Sequence, residues 1–360
     1  MNALRQRACN AMLGLAVGDA MSWPAMFHRS FLLPSWTRRI RREMDAAAET
    51  TNVIRPAMPF SLNRSAAAFD LGPTDDTEWA AFTAQQLLAQ GGELAPEKIL
   101  AAWLELAPQQ NVRGGVSLQA ALANLRQNKL PPHSGRDNPH YFDDGAMCRA
   151  VPIGVVCAGR PAAAAALVAS EATITNAEDG VWAAQALAAA LSVACTGAAV
   201  DAVIDAALEQ LPGAAWITRT VHEALALITD DATLFDIFPR LSERIINREY
   251  SDGNVAPETL ALTLVIIKWC QGDFKTAVTA AAAFAKTADS VPAFVGALSG
   301  ALRMDKIISA EWMERCRRLQ GICVPALAGV DYVELAERVA DLAVRRYAGT
   351  RHLNAQPECL

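Results

Sequence analysis

At 360 residues with a formal net charge of −6, the chain is long enough to bury a substantial core and too acidic to track nucleic-acid phosphates. It is 52% hydrophobic, Ala-rich and only 6% aromatic, which favours closely packed helices over sheets of Val, Ile and Tyr. No stretch long enough to cross a bilayer is free of charges and helix breakers, so no membrane partner is expected.

Helical periodicity places a first helix over 2–20, interrupted at Gly18 and Asp19, which also makes the N-terminus a poor secretory leader. Residues 28–73 carry Pro34, Pro56, Pro59 and Pro73 and read as an excursion or lid over the body. A helix over 77–90 closes on Gly91-Gly92, Pro96 opens another to Leu106, and a further one covers 114–127. The stretch from Pro131 to Gly145 is a long polar loop. Apolar helical runs then recur at 148–158, 161–169, 178–195, 199–210, 215–228, 232–246, 256–270 and 273–285. Three more cover 291–302, 310–319 and 332–347, and 350–360 reads as a flexible tail. There is no strand alternation and no repeat of fixed period, so the expected fold is all-α, a single multi-helix domain over 1–360. Eight scattered cysteines without a C-x-x-C pair point to a reducing compartment, and a cytoplasmic location is expected.

Polar residues interrupt these apolar runs in a few places. Thr74-Asp75-Asp76-Thr77 opens a helix, where Thr and Asp serve as caps and carboxylates suit the positive end of the dipole. One oxygen suffices for a cap, however, and four consecutive hard oxygens also suit Mg²⁺ or Mn²⁺. Asp19 is either part of a helix fraying at Gly18 or a carboxylate brought close to a ligand by its small neighbours. Asp143-Asp144 reads as a second acidic cap, and Asn176 as a third, with Glu178 and Asp179 in its first turn. Thr287, Asp289 and Ser290 form another oxygen cluster before a helix opened by Pro292. The five histidines have no metal-ligand spacing.

Together, "GLAVGDAMSWP", "TDDT", "DDGAMCRAVPIG", "TNAEDGVWAAQALAAAL" and "ADSVPAFVGALSGA" resemble the motifs of the ADP-ribosylglycohydrolase family in order and spacing. The resemblance implies an all-α fold with two Mg²⁺ or Mn²⁺ ions at the base of a cleft. Carried over to this chain, it implies Thr74, Asp75, Asp76, Asp289 and Ser290 as ligands, with Asp75 and Asp76 also catalytic. It further implies that Tyr141, Phe142, Asp143, Asp144 and Gly145 hold the adenosine and diphosphate end of ADP-ribose. Gly114, Gly115 and Ser117 match a loop lining the cleft, and Asp19 and Asn176 complete the implied substrate contacts.

This chain departs from the family pattern at three positions. Thr287 replaces an aspartate, which weakens the second ion; Met26 stands where many members have glutamate, and Asn176 where some have histidine. The implied activity is metal-dependent hydrolysis of a ribosyl N- or O-glycosidic bond in a small-molecule or ADP-ribosylated substrate. Two alternatives stay open: a smaller N-ribosyl substrate such as a nucleoside, and a non-catalytic ADP-ribose-binding relative. The oligomeric state is open as well.

Overall fold

The computed structural model describes residues 2–29, 72–229, 232–247, 250, 253–284 and 286–354. Most of the expected lid, the end of the expected tail and the side chain of Met26 lie outside the described residues. In chain order the helices are α1 (Asn2–Arg29), α2 (Asp75–Ala89), α3 (Pro96–Leu106), α4 (Val116–Arg126), α5 (His133–Arg136), α6 (Met147–Val156), α7 (Pro161–Ala172) and α8 (Asp179–Ala194). They continue as α9 (Val200–Leu208), α10 (Trp216–Leu225), α11 (Leu234–Arg244), α12 (Ala256–Trp269), α13 (Phe274–Ala282), α14 (Val291–Leu302), α15 (Ala310–Arg315) and α16 (Tyr332–Asn354). Among the described residues there is no strand, only the isolated bridges Asp143–Val255 and Arg318–Asp331. The all-α expectation holds.

Three boundaries differ from the sequence reading by more than three residues. The 310–319 run is helical only to Arg315, α16 continues into the expected tail as far as Asn354, and α1 does not stop at Gly18. The last difference has a packing cause. A Cβ on Gly14 would stand 2.2 Å from the carbonyl oxygen of Gly296, and one on Gly18 would stand 2.0 Å from that of Pro292. Gly300 faces α1 in the same way, 2.3 Å from the carbonyl oxygen of Asn10. Glycines four residues apart on both helices let the two backbones touch, an approach that any side chain would block. Gly18 is therefore a contact point inside a continuous helix rather than a fray. The contact also sets Asp19, the next residue on α1, beside the start of α14.

A second packing unit surrounds α6, whose residues are all buried. Arg149 is fully buried there and donates to Glu171 Oε1 at 2.7 Å and to the carbonyl oxygen of Gly145 at 2.8 Å. Its guanidinium lies 5.1 Å from the Trp103 ring centroid, and Trp103 stacks on Trp79 at 5.4 Å. A buried charge needs such satisfaction, because removing one partner of a buried pair costs about 3–5 kcal/mol. This arginine ties the turn ending at Gly145 to α7 and to the aromatic core.

Candidate functional site

The N-terminus of α2 is capped from a distance. Thr74 occupies the cap position, but its side chain makes no capping hydrogen bond. Asp19 Oδ2 instead accepts from the backbone N–H of Thr74 at 2.7 Å and of Thr77 at 3.0 Å. Both threonine hydroxyls also donate to Asp19, which is completely buried. The neighbouring acids Asp75 and Asp76 are thus released from capping duty.

The same device recurs at two other helices. Asp143 accepts from the N–H of Ser117 at 3.2 Å, in the first turn of α4, and from its hydroxyl at 2.7 Å. Asp179 accepts from the N–H of Ile217 at 3.0 Å, in the first turn of α10. The capping expectations for Asp143-Asp144 and Asn176 are corrected accordingly: these residues do not cap the helices that follow them in sequence. Asn176, only 1% exposed, donates to the carbonyl oxygens of Tyr141 and Asp143, both at 3.1 Å, and to Asp143 Oδ1 at 2.9 Å. It stands behind the Tyr141–Gly145 turn and holds it.

Four further carboxylates lie within electrostatic reach of Asp76. Burial raises its carboxyl well above the usual range, and Asp75, Asp19, Asp144 and Asp289 push it further. Burial also raises Asp75 to about 7, with help from Asp19 and Asp289. Asp144 is pushed to about 8 by burial and by Asp143, although Thr259 donates a 2.7 Å hydrogen bond to it. Asp19 is raised by burial against its four hydrogen bonds. The fold therefore brings together Thr74, Asp75, Asp76, Asp289 and Ser290, with Asp19 and Asp144 at their flanks.

The donor set is all hard oxygen, which suits Mg²⁺ or Mn²⁺. Asp76 Oδ2 is buried and accepts no hydrogen bond, an orphaned acceptor that a cation would satisfy. Among the described residues, however, no three His, Cys, Asp or Glu side chains are gathered in ligating geometry, so a shell needs the hydroxyls of Thr74 and Ser290 or small side-chain turns. Thr287 does not contribute: it is fully buried, and its hydroxyl faces the carbonyl oxygen of Phe284 at 3.4 Å.

These raised carboxyls predict how the metal-free protein responds to pH. An acid whose pKa is higher folded than unfolded stabilises the fold while protonated, and that contribution is lost as pH rises through the folded value. Metal-free protein should therefore melt at progressively lower temperature as pH rises from the ordinary carboxylate value of 3.8 to about 7 (Asp75) and about 8 (Asp144), and level off above. Mn²⁺ should restore most at the alkaline end. A melting temperature that rises over that interval in chelator contradicts the cluster.

Beside the acids, Tyr141 and Phe142 pack edge-to-face at 5.3 Å, and Phe142 meets Tyr250 at 5.4 Å and Trp216 at 6.1 Å. Next to this wall, a cavity of about 330 Å³ is lined by Trp216, Arg219, Thr220, Arg244, Asn247 and Glu258, among others. Glu258 is ion-paired with Lys286. Gly114 and Gly115 lie before α4, and Gly115 approaches Asp143 Oδ2. Sequence reasoning missed Thr259 and Asn254, whose side chains hold Asp144 and Asp289 respectively. Asn254 follows a glycine in a segment without periodicity, and nothing local marks it.

Residues 1–349 match the family model described as ADP-ribosylglycohydrolase. A solved structure described as an "ADP-ribosylglycohydrolase-related protein complex" superposes with a TM-score of 0.61 at 22% identity, covering 96% of this chain and 99% of that one. No curated protein matches the chain in sequence.

Proposed function

The chain belongs to the ADP-ribosylglycohydrolase family, and from that premise we propose that it is a divalent-metal-dependent hydrolase of a ribosyl glycosidic bond in an ADP-ribosylated substrate. The observation that carries this reading is the convergence of Thr74-Asp75-Asp76 with Asp289-Ser290, where Asp76 Oδ2 is buried without a hydrogen bond.

Thr74, Asp75, Asp76, Asp289 and Ser290 would hold the cation. A bound divalent ion supplies Lewis-acid charge that binds the sugar hydroxyls and acidifies an attacking water. Cleavage of the C1–N or C1–O bond passes through an oxocarbenium-like state with positive charge spread over C1 and the ring oxygen. The carboxylates of Asp75 and Asp76 stabilise that charge, and one of them accepts a proton from the water that adds to C1. Asp19 acts from behind, fixing the start of α2 so that these two acids keep their aim.

The cavity supports a phosphate-bearing substrate over a free nucleoside. Arg244 has no hydrogen bond or ion pair among the described residues, and Arg219 donates only to the carbonyl oxygen of Ala214. Two guanidiniums lining one cavity suit a phosphate beside the aromatic wall, with Asp179 in electrostatic reach of Arg219 and Glu223 and Glu258 sharing the lining. Replacing both in Arg219→Ala/Arg244→Ala should raise KM for an ADP-ribosylated substrate about ten-fold or more, since one charge-assisted contact is worth about 1.5–3 kcal/mol. A nucleoside's KM should not move. Equal effects on both would sink the phosphate assignment. A hydrolysis panel of ADP-ribosylated arginine, ADP-ribosylated serine and nucleosides tests the reading; cleavage of nucleosides alone overturns it.

A further inference from the structure

We propose that Asn254 is the positioning residue of this centre: its one buried amide aims Asp289 and Ser290 at the divalent cation. The inference rests on the metal-dependent reading above. Asn254 is 4% exposed, and its Nδ2 donates to Asp289 Oδ1 at 2.7 Å and to Ser290 Oγ at 2.9 Å. A carboxylate only accepts, so the nitrogen must face Asp289, and the amide orientation is set by chemistry.

The rest of the strip that begins at Asn254 points the same way. Its carbonyl oxygen accepts from the N–H of Asp144 at 3.3 Å, and Val255 pairs its backbone with Asp143. Glu258 ion-pairs with Lys286 at the head of the segment carrying Asp289, and Thr259 holds Asp144 Oδ2 at 2.7 Å. Residues 254–259 therefore fasten two acidic segments that lie far apart in sequence. Without that amide, Asp289 and Ser290 lose their common donor, and the Ser290 hydroxyl can rotate onto the carboxylate. With it, one oxygen of Asp289 is anchored and the other keeps its direction. Outer partners of this kind alter metal affinity by about 10- to 100-fold.

A clasp that only stabilised the fold would lower the melting temperature and leave ion affinity alone. The test is isothermal titration of Mn²⁺ into full-length wild type, Asn254→Ala and Asn254→Leu, each first melted in chelator to establish that it folds. Leu conserves the side-chain size and Ala avoids crowding, so one of the two should fold. The expected result is a Kd for Mn²⁺ weakened about 10- to 100-fold in whichever variant folds cooperatively. Wild-type affinity in a folded variant, with or without a lowered melting temperature, overturns the role of Asn254. Wild type that binds no Mn²⁺ overturns the metal reading itself and this inference with it, so the two failures are separable.

Discussion

Asp75→Asn and Asp289→Asn should each abolish measurable Mn²⁺ binding and lower ribosyl hydrolysis by on the order of 10³-fold, while leaving the protein folded. Each substitution keeps the side-chain volume and removes one unit of negative charge from a cluster whose members already repel one another. In the metal-free state that removal relieves repulsion, so both variants should melt at or above the wild-type temperature in chelator. Ligand loss with a gain in metal-free stability distinguishes a metal centre from a structural acid cluster. Unchanged Mn²⁺ titrations in both variants would eliminate Asp75 and Asp289 as ligands. The two residues lie on different segments, Asp75 at the start of α2 and Asp289 just ahead of α14. Loss in both would therefore establish that the segments converge on one ion.

The second large effect is expected at Gly18, where a Cβ would stand 2.0 Å from the carbonyl oxygen of Pro292 and 2.7 Å from Cα of Ala293. The obstructing atoms are backbone, so no rotamer change relieves the clash, and α1 and α14 must separate. Overpacking of this kind costs about 3 kcal/mol. Gly18→Ala should therefore lower the melting temperature markedly. It should also weaken Mn²⁺ binding, since Asp19 and the start of α14 flank the contact. Gly213→Ala is the control: it has nothing within 4 Å of its Cβ and should be silent. A Gly18→Ala protein that melts like wild type would contradict the close crossing.

Much of the helical order was legible because its apolar periodicity is strong and its punctuation is conventional: Pro96, Pro161 and Pro292 each open a helix where expected. Gly18 was misread because a glycine in a helix signals a break locally, and only the partner glycines on α14 reveal a crossing. The acids were visible as unusual, but their division of labour was not. Asp19, Asp143 and Asp179 cap helices through N–H groups 58, 26 and 38 residues away along the chain, and sequence spacing carries no trace of that pairing. Asp75 and Asp76 read as a self-made cap for the same reason, until Asp19 is seen to take the role. Thr287 was expected to offer an oxygen, and its burial against Phe284 is a tertiary fact.

The most direct test of the account is release of ADP-ribose from an ADP-ribosylated peptide by the full-length protein, followed before chelation, in EDTA and after return of Mn²⁺. The account predicts release that stops in EDTA and resumes with Mn²⁺, and that Asp76→Asn fails to resume. Release that continues at full rate in EDTA, or that survives in Asp76→Asn, would contradict a divalent-dependent hydrolase built on these acids.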